Sequence, residues 1–125
     1  MLEIQEKFSF DGYENLVKAV GNNNLHITEA VNGEKTIGYI AYAYETDKTL
    51  IFDYDDGGDL FLCDGLIRSV LFKSCLKGID TAVFELIDNS KIDKLIKLNF
   101  VQNDNLSLKN LDDFMNSCKK CKKSS

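Results

Sequence analysis

Apolar and polar residues alternate at the start of the chain, with Leu2, Ile4, Phe8 and Phe10 set against Glu3, Gln5, Lys7 and Ser9. A period of two predicts a half-buried strand. Asp11 then offers a helix N-cap, with Glu14 three residues on, in the spacing of a capping box. Tyr13, Leu16, Val17 and Val20 follow at helical spacing, and Gly21 can close that helix. In "NLHITEAV", Leu25, Ile27 and Val31 alternate with His26, Thr28 and Ala30. Asn32-Gly33 predicts a hairpin into "KTIGYIAYAYE", and "TDK" turns the chain into "TLIFDY". Leu66, Ile67, Val70, Leu71 and Leu76 mark a helix that Gly78 ends. "TAVFEL" reads as a short central strand. In the next helix Ile92, Leu95 and Ile96 face inward, while Lys91, Lys94 and Lys97 face water. "FVQND" is expected as a last strand and "SLKNLDDFMNS" as a last short helix. The order β-α-β-β-β-α-β-α-β-α predicts an α/β domain with a largely antiparallel sheet. The strands near 25–31, 35–45 and 49–54 should form a meander. The helix over about 62–77 should lead to a strand at 81–86 lying parallel beside the third strand of that meander.

Composition narrows the class. A chain of 125 residues makes one domain, with 44% hydrophobic and 28% charged residues. Residues 1–117 read as that domain and 118–125 as a short basic tail. The net charge of -5 argues against nucleic acid as a partner, because phosphate binding needs a basic face. No apolar run approaches the roughly 20 residues of a membrane span, and the N-terminus does not read as a signal peptide. A cytoplasmic protein with reduced Cys63, Cys75, Cys118 and Cys121 is therefore expected.

The stretch "DDGGDLFLCDG", residues 55 to 65, raises the chemical question. A glycine-bearing turn running into a helix is the grammar of an anion site. Yet Asp55, Asp56, Asp59 and Asp64 should repel an anion. A calcium loop starting at Asp53 departs from the EF-hand pattern twice: Gly57 at position 5 is no side-chain ligand, and Asp64 at position 12 is short for the usual glutamate's reach. Cys63 sits at the start of the helix, where the dipole favours a thiolate while Asp59 and Asp64 oppose it; a small buried residue is the plainer reading. His26, the only histidine, is expected to be solvated. Tyr39, Tyr42, Tyr44 and Tyr54 are expected to pack in the sheet, with Tyr42 or Tyr44 the candidates to face a cleft. Cys118-Lys-Lys-Cys121 offers two of the four ligands of a zinc site; a mobile tail with no chemistry is the other reading.

The order of elements, "NGEKTIGYIAYAY", "LKGIDTAVFEL" and "KLIKLNF" together resemble the GNAT superfamily of acyl-CoA-dependent N-acetyltransferases over residues 25 to 104. "KLIKLNF" stands where the family often has "LYEKLGF". The resemblance places a pyrophosphate loop at residues 58 to 63. There the family has Arg or Gln, two residues, Gly, one residue, then Gly or Ala. Here those places hold Gly58, Phe61 and Cys63, so the motif is absent. The tyrosine that many members use as general acid is replaced by Leu95, and Asp88 stands for an asparagine at the same helix's start.

The resemblance implies a GNAT-like N-acetyltransferase that moves an acetyl group from acetyl-CoA to a small-molecule or peptide amine. Leu62, Cys63, Asp64 and Gly65 would offer main-chain N–H groups to the pyrophosphate. Asp53, Tyr54 and Cys63 are the catalytic candidates. The alternative is a non-catalytic GNAT-like binding module whose Cys118 and Cys121 bind a partner or a metal. A homodimer is compatible with either.

Overall fold

A computed structural model describes residues 2–85 and 88–116. Nine elements follow one another: β1 (Leu2–Lys7), α1 (Glu14–Val20), β2 (Leu25–Asn32), β3 (Lys35–Tyr44), β4 (Thr49–Asp55), α2 (Leu60–Leu76), β5 (Thr81–Phe84), α3 (Asn89–Lys97) and β6 (Ser107–Lys109). A last helical segment, α4, covers 111–116. The six strands form one sheet in the order β1-β2-β3-β4-β5-β6. Only β4 and β5 run parallel, and α2 connects them. The expected meander and the parallel neighbour are both present.

Alternation along the strands sorts side chains to two covered faces. Ile40, Tyr42, Ile51 and Tyr54 pack with Leu62, Leu66, Ile67, Val70 and Leu71 of α2, joined by Phe84, Leu95, Phe100 and Leu111. Leu25, Ile27 and Ala41 point the other way, onto Tyr13, Leu16, Val17 and Val20 beside and on α1. Burial at about 25 cal/mol per Å² of apolar surface makes the first cluster the main source of stability. Turn chemistry fixes the connections. Gly33 takes φ +67° in the β2–β3 turn, and Gly21 takes φ +64° and donates its N–H to the Val17 carbonyl.

Several expectations need correction. The first strand stops at Lys7, and its apolar side chains are not half-buried: Leu2 is 52% exposed and Phe8 97%. As an edge strand, β1 has sheet on one side only. Asp11 does not cap α1; Tyr13 occupies that place without a side-chain bond, while Glu14 reaches back to the Gly12 N–H. Thr28 and Ala30, expected on a polar face, are fully buried because α2 covers that side. Residues 100–104 form no strand beyond an isolated Gln102–Asn105 bridge. The last strand lies in "SLK" instead, after Asn105 turns the chain by accepting bonds from the Ser107 N–H and hydroxyl.

Candidate functional site

The site begins with a bulge. Ala41 faces Asp53 while Tyr42 faces Ile51, so Phe52 is an extra residue on β4. A bulge bends its strand. Among the described residues β5 pairs with β4 from Thr49 to Ile51, and the Glu85 N–H to Ile51 carbonyl bond, 2.8 Å, is the last rung. Near this end of the pairing lies a cleft of about 700 Å³, lined by Leu16, Ala19 and Val20 of α1, Phe52 and Asp53 of β4, Glu85, Asp88 and Lys91. Three carboxylates against one lysine give it a negative field.

The helix α3 ties this region together. Asp88 starts it by accepting the Ser90 N–H at 2.9 Å and the Ser90 hydroxyl at 2.7 Å, which holds the Asp88 carboxyl below its usual range. Lys91 and Lys94, expected to face water, turn instead towards β4. The Lys91 ammonium lies 2.5 Å from one Asp53 oxygen, and the Tyr39 hydroxyl donates to the other at 3.0 Å. Lys94 donates to both oxygens of Asp56, at 3.0 and 2.9 Å. Tyr54 donates its hydroxyl to the Lys91 carbonyl at 2.7 Å. Glu85 has no side-chain hydrogen bond or ion pair among the described residues.

The loop between β4 and α2 answers the acidity puzzle. Its main-chain N–H groups donate to the loop's own acceptors. Gly57 donates to Asp55 Oδ1 at 2.9 Å and Gly58 to Asp56 Oδ1 at 2.8 Å. Phe61 and Leu62 donate to Asp59 Oδ1 at 2.9 and 3.4 Å, making Asp59 the N-cap of α2. Asp59 donates to the Asp56 carbonyl and Cys63 to the Asp59 carbonyl, both at 3.0 Å. Asp64 and Gly65 stand inside the helix, where N–H groups serve the i−4 carbonyl. The carboxylates thus accept the N–H groups of residues 57, 58, 61 and 62. Asp64 itself pairs with Arg68 one turn on, at 3.0 Å.

Cys63 is fully buried, and burial pushes its thiol up to about 11, against an opposing hydrogen bond from Tyr54. Burial also raises the Tyr54 phenol, with Cys63 and Asp56 adding to it. Both side chains are protonated at neutral pH. Leu95 is buried in the main core. Cys118 and Cys121 lie outside the described residues. Among the described residues no group of three or more His, Cys, Asp or Glu is placed to hold a metal.

The structure thus joins Asp53 and Tyr54 through Lys91 and sets Cys63 beside Tyr54. It puts His26 elsewhere, stacked on Tyr42 at 5.5 Å and bonded to Glu6 at 3.1 Å. Lys91, Lys94 and Glu85 were missed as site residues. The spacing of Lys91 and Lys94 puts them on one helix face, but only the partners on β4 reveal which way that face turns.

No family model matches the chain, and no curated protein matches it. Solved structures do. A ribosomal-protein-S18-alanine N-acetyltransferase from Escherichia coli superposes with TM-score 0.64 at 12% identity, over 88% of this chain and 94% of that one. A chain of a KacTA–DNA complex gives TM-score 0.61 at 16% identity, over 94% and 99%. The PaiA N-acetyltransferase from Thermoplasma acidophilum, in complex with coenzyme A, gives 0.53 at 15% identity, over 77% and 67%. These neighbours include N-acetyltransferases, and the likeness extends over most of the chain. The mixed, mostly antiparallel six-stranded sheet, with its single parallel pair at β4 and β5 and its flanking helices, is a GNAT-like fold.

Proposed function

We propose that this chain is a non-catalytic, GNAT-like binding module that receives an amine-bearing, cationic ligand in the acidic cleft. One observation carries the proposal: the N–H groups of Gly57, Gly58, Phe61 and Leu62, at and just before the place expected for a coenzyme A pyrophosphate, already donate to the carboxylates of Asp55, Asp56 and Asp59. A pyrophosphate entering there must displace these carboxylates and then lie beside them. Charges about 4 Å apart interact by ~1 kcal/mol in water and several-fold more when partly buried. The residues present do not fit that group. The cleft suits the opposite charge: Asp88 is an exposed carboxylate, and Glu85, exposed and with no side-chain partner among the described residues, can meet an ammonium.

Calorimetry tests this with two probes, acetyl-CoA and an alanine-terminated peptide amine. Acetyl-CoA should bind no tighter than about millimolar, the peptide should bind detectably, and its N-acetylated form should not. Micromolar acetyl-CoA affinity with release of free thiol would overturn the proposal.

The fold itself favours a second reading, in which the chain is an N-acetyltransferase using acetyl-CoA as donor. There the same cleft orients a small-molecule or peptide amine, and Glu85 or Asp53 takes its proton. Asp53 is the poorer base, because Lys91 and Tyr39 already hold both of its oxygens. Under either reading we take residues 1–117 as one domain acting in the cytoplasm, with 118–125 as a tail. The net charge of -5 supports a partner other than nucleic acid; the DNA of the KacTA complex belongs to that complex. No helix among the described residues is long and apolar enough to cross a membrane.

A further inference from the structure

The outer edge of the sheet points to a self-association surface. β1 is the terminal strand, pairing on its inner side with β2 from Leu2↔Asn32 to Lys7↔Ile27. Its outer main-chain groups face no strand among the described residues. Edge strands are commonly blunted by shortness, by charged side chains, by proline, by a bulge or by a covering element, and of these β1 has its short length and the charges of Glu3, Glu6 and Lys7. β1 has no proline, and its pairing with β2 runs without a register shift. Its apolar side chains are also open, with Leu2 52% and Ile4 39% exposed. Ile4 lies next to Gly65 of α2, whose solvent side continues the apolar surface through Phe61 and Phe72. We infer that β1 pairs antiparallel with β1 of a second copy of this chain, about a two-fold axis at Gln5.

Charge selects this occupant and this register. Glu3, Gln5 and Lys7 share one face of the strand. An antiparallel pair centred on Gln5 sets Glu3 of one copy opposite Lys7 of the other, twice by symmetry. Opposite charges directly across an antiparallel pair stabilise it, and like charges destabilise it. A register shifted by one residue would set Glu3 against Glu6. On the other face the two Ile4 side chains become diagonal neighbours, within reach of each other.

Sedimentation equilibrium in reducing buffer, from micromolar to millimolar protein, tests the inference. The chain should dimerise with rising concentration. Glu3→Lys should weaken the dimer at least tenfold, since it sets two lysines opposite each other at both ends of the pairing. Glu3→Lys with Lys7→Glu restores opposite charges and should recover affinity to within about threefold. Ile4→Glu, also at an exposed position, should weaken it, since it sets a carboxylate opposite Glu6 of the other copy. Circular dichroism checks that each variant folds. A monomer throughout, a dimer indifferent to Glu3→Lys, or a double variant no better than the single one would overturn the inference.

Discussion

Lys94 of α3 reaches the nearly buried carboxylate of Asp56, holding both of its oxygens, and Asp56 in turn accepts the Gly58 N–H. The pair joins the loop to a helix about 40 residues away in sequence. Removing only the cation leaves a desolvated charge behind. Lys94→Met should therefore cost more than Asp56→Asn, whose amide oxygen can still accept from Gly58. We expect roughly 1–2 kcal/mol for Lys94→Met, reduced by the partial exposure of the lysine. In urea unfolding, the double variant should cost less than the sum of the two. Additive losses would mean that the two groups do not depend on each other.

Gly38 is required by a close approach. A methyl group there would meet the Asp55 carbonyl at 2.5 Å and a Leu62 methyl at 3.1 Å. The first contact is with backbone, which has little room to yield. Gly38→Ala should destabilise by roughly 1–3 kcal/mol and displace the loop that Asp55 begins. Amide exchange at Gly57 and Gly58 should quicken in this variant. Unchanged stability would show that β3 and β4 separate more readily than their pairing indicates.

Asp59 carries both charge and cap, and substitutions can separate them. Asp59→Ser keeps an N-cap oxygen and removes a charge; Asp59→Arg reverses the charge and loses the cap. Losing a good cap costs about 0.5–2 kcal/mol. Thermal unfolding should place Asp59→Ser near the parent and Asp59→Arg clearly below it. If acetyl-CoA binds at this loop at all, both variants should bind it more tightly than the parent. No change in either would place any coenzyme A binding elsewhere.

Burial of Cys63 has a sign that alkaline titration can read. Its folded-state thiol is raised to about 11. Between roughly pH 9 and 11 the unfolded chain loses this proton while the folded chain keeps it. Stability is therefore full below about pH 9 and falls as pH rises, by on the order of 2 kcal/mol from this group. Tyr13, Tyr39, Tyr44 and Tyr54, all raised chiefly by burial, add to the loss above about pH 10. Cys63→Ala should flatten the slope between pH 9 and 10 whatever it does to absolute stability. A slope unchanged in that variant would mean the thiol ionises as easily folded as unfolded.

The order of elements was legible because each rests on local pattern. Asn32-Gly33 gave the hairpin, and the spacing of Leu66, Ile67, Val70 and Leu71 gave α2. Periodicity alone misplaced what depends on neighbours. It could not tell that Phe8 and Phe10 lie beyond an edge strand, or that Thr28 is covered by α2. It put the last strand in "FVQND", where apolar Phe100 and Val101 are buried without pairing in the sheet. The acidity of the loop was visible in the sequence, but its consequence was not. Repulsion of an incoming anion by Asp55, Asp56 and Asp59 was the expectation; their capture of the loop's own N–H groups needs the backbone course. Lys91 and Lys94 were read as solvated because a lysine's partner on a distant strand leaves no local trace.

The three links from α3 to β4 and its loop also bear on time. Tyr54 to the Lys91 carbonyl, Lys91 to Asp53 and Lys94 to Asp56 close the same gap, and one short helix carries all three. A guest entering between β4 and α3 has to undo them together. Its arrival rate would then be set by how often α3 lifts, and would level off as guest concentration rises. A guest confined to the outer cleft needs no such opening, so its rate would climb in proportion to concentration. The same protein would thus present two clocks, one for its surface and one for its interior.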